Sequence, residues 1–415
     1  MKDIRLFTSQ PVAKFYDSLF LNLDLSFVPE FPKTGRKGFS NHSMICAFLV
    51  MKCEGFSMIT DLLDYLNNNL LIAHYCSFDI ARPLPSYWTF DRFLKGFDNQ
   101  TLSDIMKSQV LSLAKEGILD TSFIGLDSTP VATNTSQNNP KSFLSNKFNP
   151  ENQQKADHDC KLVVHTASNQ TGEKKYEFYW GYKNHVLVDC ISGLPIYEMT
   201  TTANVYDSTV ALDILADTHT FLPVTECTFL ADKGYDVKNI YNQVNELYDG
   251  ECIIPLNKRN AKNPKLLPQG NPVCEAGLAM WKDGTFSDRG RTRQKFCCPL
   301  KSSQNADCPC HHKNFYNGKK HRGCTKYITI PDVLRLSVDR NSNYFKNNYS
   351  LRTECERYNS RFKNTGQERM WVRNQISVTN LNTLVHISLL AVAVAAITTP
   401  SGQSYRKLKA VKRTA

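Results

Sequence analysis

Two short apolar runs in different parts of the chain each end in an aspartate. Residues 123–126 lead into Asp127, with Pro130 close behind, and residues 227–231 lead into Asp232. Apolar runs of this length that are bounded by turn residues are typical of buried strands. We therefore predict two strands of an α/β domain, each with a carboxylate at its C-terminal end. An isolated aspartate in such a place is more often a turn former or a helix cap.

Four polar side chains recur later in the chain at steps of three, four and seven residues: Tyr349, Arg352, Glu356 and Lys363. On one continuous helix these positions share a face. Arg352 would bind phosphate as a fork and Lys363 as a point charge, while Tyr349 would donate to a phosphate oxygen. The alternative is an ordinary solvated helix face stabilised by ion pairs.

Asp127, Asp232 and Glu356 together supply three carboxylates, the ligand type that Mg²⁺ prefers. Such a set can hold two Mg²⁺ ions, with Mn²⁺ as a substitute. A two-metal site activates a water or a 3′-hydroxyl and stabilises the leaving oxygen of a phosphodiester displacement. The three residues are therefore the candidate catalytic and metal-binding group.

The segments D-S-T-P, A-D-K-G-Y-D and Tyr-x2-Arg-x3-Glu-x6-Lys occur in the order found in a known family. Over roughly residues 80–400 the chain resembles the DDE transposases of bacterial insertion sequences, in the group with a C-terminal YREK motif. The resemblance implies a ribonuclease H-like mixed sheet with flanking helices, whose strands one and four carry the aspartates. It also implies cleavage at transposon ends, strand transfer into target DNA and a homodimer on double-stranded DNA.

Two other functions are compatible with these residues. One is a domesticated DNA-binding protein without catalysis, although no carboxylate of the set is missing. The other is a ribonuclease H-like nuclease without strand transfer, which would need neither an insertion nor a helical N-terminal domain. A product assay would separate this nuclease from a transposase.

The length of 415 residues predicts two or three domains. We predict an all-α N-terminal DNA-binding domain over residues 1–115, a catalytic domain over 120–256 and 343–398, a basic Cys-rich inserted subdomain over 257–342 and a basic tail over 399–415. The insertion is inferred because 88 residues, 256–343, separate the last predicted strand from the helix that carries Glu356. A structureless loop of that length is improbable in a compact domain.

Within the N-terminal domain, residues 41–52 and 57–67 are predicted helices joined by a short glycine-containing turn. This outline suits a helix-turn-helix or an ordinary helical hairpin equally well. Residues 85–93 begin a further helix and resemble the helical N-terminal domain of these transposases.

Within the catalytic domain, further strands are predicted over residues 180–188, 196–202 and 252–255, with helices over 206–216, 236–247 and 344–363. Asp236 is placed to cap the second of these helices. Lys183 and His185 share one face of their strand. Lys183 is a candidate DNA contact, whereas His185 is more typical of a structural residue.

The inserted segment carries the positive charge of the chain. Residues 256–326 contain 15 Lys or Arg and 4 Asp or Glu, an excess of +11 that equals the formal net charge of the whole protein. Such a segment suits contact with a DNA backbone, here through Arg289, Arg291 and Arg293. Trp281 is a candidate to stack on a flipped base, as an aromatic residue does in some related transposases, or else packs in a core.

The chain has 14 cysteines and no secretory signal is visible at its N-terminus, which predicts reduced thiols in a bacterial cytoplasm, at the nucleoid. Six cysteines lie in the insertion, with three histidines nearby. A closed zinc site takes four such ligands. We predict a structural zinc bound by Cys297 or Cys298 with Cys308, Cys310 and Cys324, against the alternative of unliganded thiols.

Two features near the C-terminus complete the sequence. The apolar run 387–397 is too short to span a bilayer and predicts a buried helix, so no membrane partner is expected. Residues 401–415 carry five cations and no acid, which predicts a disordered tail that either contacts DNA or keeps the protein soluble.

Overall fold

The computed structural model describes residues 8–31, 37–135, 155–168, 174–257, 266–267, 269–289, 291–301, 323–397 and 405–414. The chain divides into two compact units. The first unit combines Met1–Pro223 with Thr353–Ala415, and the second unit is Val224–Arg352. The four domain boundaries drawn from the sequence stay a prediction.

In the described residues, the N-terminal part of the first unit contains the helices α1 Pro11–Leu21, α2 Asn41–Cys53, α3 Ile59–Asn68, α4 Leu70–Tyr75, α5 Tyr87–Gly96 and α6 Asn99–Lys115. The predicted pair of helices is present as α2 and α3, and Gly55, with φ of +76°, forms the turn between them. Helix α2 is buried from Ser43 to Cys53. It therefore packs as a core helix, while any binding of DNA by this pair stays a prediction.

Among the described residues, the first unit contains the strands β1 Phe123–Ala132, β2 Lys161–Ser168, β3 Lys174–Asp189 and β4 Pro195–Thr202. The first half of β3 pairs with β2, and its second half lies between β1 and β4, all antiparallel. Strand β2 was not predicted from the sequence.

Strand β1 corrects one expectation. It does not end at Asp127 but continues through Pro130 to Ala132, so the carboxylate lies in mid-strand, opposite Val186. The extended backbone accepts the fixed φ of proline and loses only one ladder N–H. Pro130 therefore does not stop the strand.

The described residues of the first unit also include the helices α7 Asp207–Phe221, α11 Thr353–Phe362 and α12 Gln375–Ile397. The predicted buried helix is α12, whose residues pack against α2, α6 and β4. By length and composition alone α12 could also cross a membrane, but 89% of its most apolar window is buried within the protein. It is the central core helix of the first unit.

The second unit contains a parallel pair of strands and a separate antiparallel sheet. Its elements are β5 Thr228–Leu230, α8 Lys238–Asn242, β6 Glu251–Ile253, β7 Trp281–Asp288, β8 Arg291–Cys297, β9 Thr325–Thr329, α9 Ile330–Ser337 and α10 Asn343–Ser350. Strands β5 and β6 pair in parallel, and β8 is the middle strand of the β7–β8–β9 sheet. Antiparallel and parallel pairing together make the protein a mixed α/β fold.

The helix predicted over residues 344–363 is in fact two helices, α10 and α11, and they fall in different units. The break lies at Leu351 and Arg352. Their amides bond to carbonyls only three residues back, Asn348 at 3.0 Å and Tyr349 at 3.1 Å. Because this tightens the last turn of α10, the α-helical ladder stops there.

The described part of the C-terminal tail is also ordered, so the expectation of disorder is wrong for residues 405–414. Leu408–Thr414 forms helix α13. Lys412 Nζ contacts Glu54 Oε1 at 2.8 Å and donates to the Cys53 carbonyl at 2.9 Å, and Val411 is buried. These contacts fasten the tail to the helical part of the first unit.

Candidate active site

The carboxylate of Asp127 faces helix α11. Asp127 is half-buried on β1, and its Oδ2 accepts a hydrogen bond of 3.0 Å from Asn359 Nδ2. The other amide atom, Asn359 Oδ1, is buried and has no hydrogen-bond partner among the residues that the structure describes. Within the first unit, the candidate carboxylate of Asp127 is therefore hydrogen-bonded to the helix that carries Glu356.

Glu356 lies on α11 three residues before Asn359. Residues at this spacing share a helix face. Glu356 is exposed. Its neighbour Glu354 is buried and pairs with Arg357 and with Arg406, the latter at 3.5 Å. The two glutamates thus lie on different sides of the helix.

A chain of buried hydrogen bonds holds α11 in place. Tyr358 bonds to His386 Nδ1 of α12 at 2.5 Å, and His386 Nε2 bonds to Asn184 Oδ1 of β3 at 2.9 Å. Asn184 Nδ2 then donates to Glu198 Oε2 of β4 at 2.6 Å. Burial lowers the pKa of His386 to about 3, so the imidazole is neutral and accepts from Tyr358. Helix α12 and strand β3 therefore fix the rotation of α11, the helix that carries Glu356.

A second branch of this network ends on the same carboxylate. Lys52 Nζ donates to Gln367 Oε1 at 2.8 Å, and Gln367 donates to Asn382 Oδ1 at 2.7 Å. Asn382 Nδ2 donates at 2.9 Å to Thr200 Oγ1, which donates to Glu198. Burial lowers the pKa of Lys52 to about 7 and raises the pKa of Glu198 to about 7. Helix α2 is thereby linked through the core to β4, which pairs with the strand next to Asp127.

The third candidate carboxylate, Asp232, belongs to the second unit. It is half-buried after β5, and its Oδ1 accepts the Gly234 amide at 2.6 Å across a short 3₁₀ turn. Its backbone is extended, so the side chain caps the turn that follows. The placement directly after the strand agrees with the sequence prediction.

Asp236 does not cap the helix that follows, which corrects the prediction. Its side chain is fully buried and receives a two-pronged ion pair from Arg335, at 2.8 and 2.6 Å. Tyr241 donates to the same carboxylate at 3.0 Å, and the Asn257 amide donates at 2.7 Å. A carboxylate satisfied in this way holds α8 and α9 together, so Asp236 is a structural residue of the second unit.

Among the phosphate candidates, Tyr349 and Arg352 are in the second unit and Lys363 is in the first. The Tyr349 ring stacks on Phe345 with centroids 5.7 Å apart. Lys363 begins a π-helical turn after α11 and lies 3.5 Å from Glu368. The prediction that one helix carries the whole stripe is wrong, because the break at Leu351 separates its members.

Lys183 is a less accessible DNA candidate than its sequence suggests. Its Nζ contacts Asp207 at 2.8 Å and donates to the Val205 carbonyl at 3.0 Å. His185 is fully buried and bonds to Thr201, and burial lowers its pKa to about 4. His185 is therefore structural, while a DNA contact by Lys183 stays a prediction.

The β7–β8 hairpin displays the other DNA candidates. Trp281 is 60% exposed at the start of β7, so the alternative of core packing does not apply. Arg289 lies in the hairpin turn, with φ of +50°, and Arg291 is exposed at the start of β8. Arg293 is half-buried between Asp288, at 3.0 Å, and the ring of Tyr327. Contact of these residues with DNA stays a prediction.

Of the predicted zinc ligands, Cys308 and Cys310 lie outside the described residues. Cys297 and Cys298 are buried, and Cys324 is partly exposed. Within the described part of the chain, no three His, Cys, Asp or Glu side chains form a group that could hold a metal ion.

Asn359 is the residue that the sequence interpretation missed. It stands three residues after Glu356, within the same motif, and therefore on the same face of any helix through Glu356. That spacing was visible in the sequence. Its partner Asp127, 232 residues away, was not.

Comparison with known proteins gives one strong match. The family model described as "Transposase DDE domain" matches residues 119–391, more than half of the chain. Among solved structures, the cryo-EM structure of the piggyBac transposase synaptic complex with hairpin DNA is similar, with a TM-score of 0.40 and 11% sequence identity over 99% of this chain and 81% of that chain. No curated protein matches.

Proposed function

This chain belongs to the transposase DDE domain family, and we propose that it is the transposase of a bacterial insertion sequence with the YREK motif. It cuts the ends of its element by hydrolysis and joins the free 3′-hydroxyls to target DNA. The observation that carries this proposal is the hydrogen bond between Asn359 and Asp127. It sets one motif carboxylate against the helix face that bears Glu356.

The metal-binding set in this proposal is Asp127, Asp232 and Glu356, in a ribonuclease H-like catalytic domain. Carboxylate oxygens are the ligands that Mg²⁺ prefers. The buried Asn359 Oδ1, which has no hydrogen-bond partner within the described part of the chain, adds one more neutral oxygen on the same side of α11. When bound, two Mg²⁺ ions, or Mn²⁺ in their place, supply Lewis acidity to the attacking and leaving oxygens. Asn359 keeps the Asp127 carboxylate turned towards the helix.

The phosphate chain is held by Arg352, Lys363 and Tyr349 in this proposal. The ion pair of Lys363 with Glu368 is long, at 3.5 Å, and Glu368 is 73% exposed. Exposed pairs of this kind contribute little, so a DNA phosphate can replace Glu368 as the partner of Lys363. The exposed Trp281 with Arg289 and Arg291 would extend the contact along double-stranded DNA.

A homodimer in the bacterial cytoplasm, at the nucleoid, follows from the same proposal, because transposition joins two ends of one element. The binding of DNA is supported by the excess of +11 in residues 256–326, because such a positive charge attracts an anionic partner. The tail gives less support to DNA binding, because Lys412 forms an ion pair with Glu54 and Arg406 forms one with Glu354.

The test uses the full-length protein, Mg²⁺ and a DNA fragment that carries the inverted repeats flanking its gene. Wild-type protein should release the element and produce strand-transfer products with a plasmid target. Asp127→Ala, Asp232→Ala and Glu356→Ala should each abolish both products while end binding, measured by gel shift, is retained. Asp104→Ala, at an exposed helical site of the first unit, is the matched control.

The outcomes separate the competing functions. Cleavage without joined products would identify a nuclease without strand transfer. End binding without cleavage by the wild type, under both Mg²⁺ and Mn²⁺, would identify a non-catalytic DNA-binding protein. Wild-type activity in any carboxylate variant would remove that residue from the metal set.

A further inference from the structure

A cavity of about 410 Å³ lies in the first unit, and none of the three candidate carboxylates lines it. Its walls come from the starts of helices α3 and α5, from Asn134 just after β1, and from residues 371–373. Sites for small ligands commonly measure roughly 300–1,000 Å³. The cavity is therefore large enough to hold a single nucleotide.

Large aromatic side chains that remain exposed line this cavity. Trp88 is 66% exposed and Trp371 is 41% exposed. The ring of Tyr87 packs edge-on against Trp88, with the ring centroids 5.3 Å apart. Folding normally buries rings of this size, because they contribute a large apolar surface. Exposed rings that share one concave site are instead typical of surfaces that bind another flat ring.

The charged side chains at the cavity leave a positive excess. Asp91 lines the cavity, but it pairs with Lys95 at 2.6 Å, so these two charges balance. Arg373 also lines the cavity and is exposed. The Arg369 guanidinium lies over the Trp371 ring, 5.7 Å from its centre. Because arginine binds phosphate through a planar fork of donors, the site offers rings for a base and cations for its phosphates.

The wall that carries Trp371 is attached to the strand of Asp127. The Met370 amide donates to the Ala132 carbonyl at 2.9 Å, and Arg369 pairs with Ala132 in an isolated parallel bridge. Ala132 is the last residue of β1. At about 3.3 Å per residue, roughly 17 Å of strand separates it from Asp127, which is the length of about five base pairs. DNA bound at Asp127 can therefore also reach the cavity.

We propose that this cavity binds one unpaired nucleotide of a DNA strand, on a different unit of the protein from Trp281. The base stacks on Trp88 and Trp371, while Arg373 and Arg369 contact the adjacent phosphates. Stacking of this kind tolerates any sequence, because every base has a π face. A base within an intact duplex hides that face, so the cavity selects a nucleotide that is mismatched, bulged or at a strand end. The inference rests on the proposed function for its DNA ligand.

Photo-crosslinking tests the site directly in the full-length protein. The probe is a DNA duplex with one bulged 5-iodo-deoxyuridine, because excited iodouracil crosslinks to an aromatic ring stacked on it. Mass spectrometry of the digested product should locate the crosslink at Trp88, Tyr87 or Trp371. A crosslink found only at Trp281, or at no aromatic residue of the cavity, would overturn the proposal.

Fluorescence anisotropy compares the affinity for the bulged duplex with that for the fully paired duplex of the same sequence. Trp88→Ala and Trp371→Ala should each weaken binding of the bulged duplex by roughly 5- to 100-fold and leave binding of the paired duplex unchanged. Arg373→Gln should weaken binding of the bulged duplex and reduce its salt slope by about one. Phe27→Ala, which removes an exposed ring that does not line the cavity, is the matched control and should change neither affinity.

This proposal and the transposase proposal can fail separately. Wild-type affinity of both tryptophan variants for the bulged duplex, or an equal loss for both duplexes, would eliminate the nucleotide site even if cleavage persists. A crosslink at Trp88 in a protein that never cleaves DNA would support the nucleotide site and contradict the transposase proposal. Because the Trp88 side chain is largely exposed, Trp88→Ala should unfold in urea as the wild type does, so a loss of binding reports on the cavity.

Discussion

Asn359 donates a 3.0 Å hydrogen bond to Asp127, a residue 232 positions earlier in the chain. The bond joins strand β1 to helix α11, and Glu356 lies about one helical turn before Asn359 on that helix. A carboxylate that binds metal needs a partner that fixes its orientation, and such partners affect metal affinity and activity nearly as much as the ligands do. The pairing makes Asn359 a positioning residue of the candidate site.

Replacing Asn359 tests that role. Asn359→Leu removes the amide while keeping similar volume, and it should lower the cleavage rate by roughly 10- to 100-fold, as changes to groups that orient metal ligands usually do. The Mg²⁺ concentration needed for half-maximal cleavage should rise, because Asp127 is no longer held. Asn67→Leu, at an exposed site on α3, is the control and should change neither quantity. An unchanged Mg²⁺ requirement in Asn359→Leu would show that the bond is purely structural.

Neutralising the phosphate candidates should change the salt dependence of DNA binding. Arg352→Ala and Lys363→Ala should each weaken binding to all sequences and reduce the slope of log K against log salt by about one. Fluorescence anisotropy with a labelled duplex at several salt concentrations measures this. Glu368→Ala frees Lys363 from its ion pair and should not reduce the slope. Slopes equal to that of wild type in both cation variants would show that neither residue contacts DNA.

The two aspartates of the A-D-K-G-Y-D segment should respond differently to substitution. Asp236→Asn breaks a buried ion pair with Arg335 and should cost roughly 3–5 kcal/mol of stability, because the guanidinium is left buried without its charge partner. Asp232→Asn should leave stability nearly unchanged and abolish cleavage. Urea unfolding of both variants, alongside a cleavage assay, measures the contrast. Equal destabilisation by the two changes would contradict these roles.

The buried carboxylate of Glu198 predicts a pH dependence of stability. Burial raises its pKa in the folded protein to about 7, from the usual 4.5 of a glutamate. The proton is therefore held more tightly in the folded state, and this contribution to stability is complete below about pH 4.5 and lost as pH rises to about 7. The loss is roughly 3 kcal/mol at most.

Glu198→Gln removes that titration and can keep the hydrogen bonds to Asn184 and Thr383. The free energy of unfolding of the wild type should therefore fall relative to that of the variant between pH 4.5 and 7. His386 and Lys52 act in the opposite sense, since burial lowers both of their pKa values. Because both titrate in each protein, the difference between wild type and variant isolates Glu198. Parallel pH profiles would contradict the prediction.

Local sequence patterns were sufficient for much of the architecture. The helices α2, α3 and α5, the strands around Asp127 and Asp232, and the buried α12 all appear where apolar periodicity and turn residues predicted them. These features depend on neighbours within a few residues, and such signals are contained in the chain itself. The family match over residues 119–391 agrees with the motif order that suggested the DDE transposases.

The contacts that decide the role of each polar residue came only with the tertiary structure. Asp232 and Asp236 differ by four positions and look alike in sequence, yet only Asp236 meets Arg335, 99 residues away. The stripe from Tyr349 to Lys363 has helical spacing, but the break at Leu351 divides it between two units. Glu198 and His386 have no distinguishing pattern in the sequence. Their burial and hydrogen bonds arise only where β3, β4 and α12 pack together. Periodicity determines which face a side chain occupies, whereas its charge state and hydrogen-bond partner depend on distant segments that pack against that face.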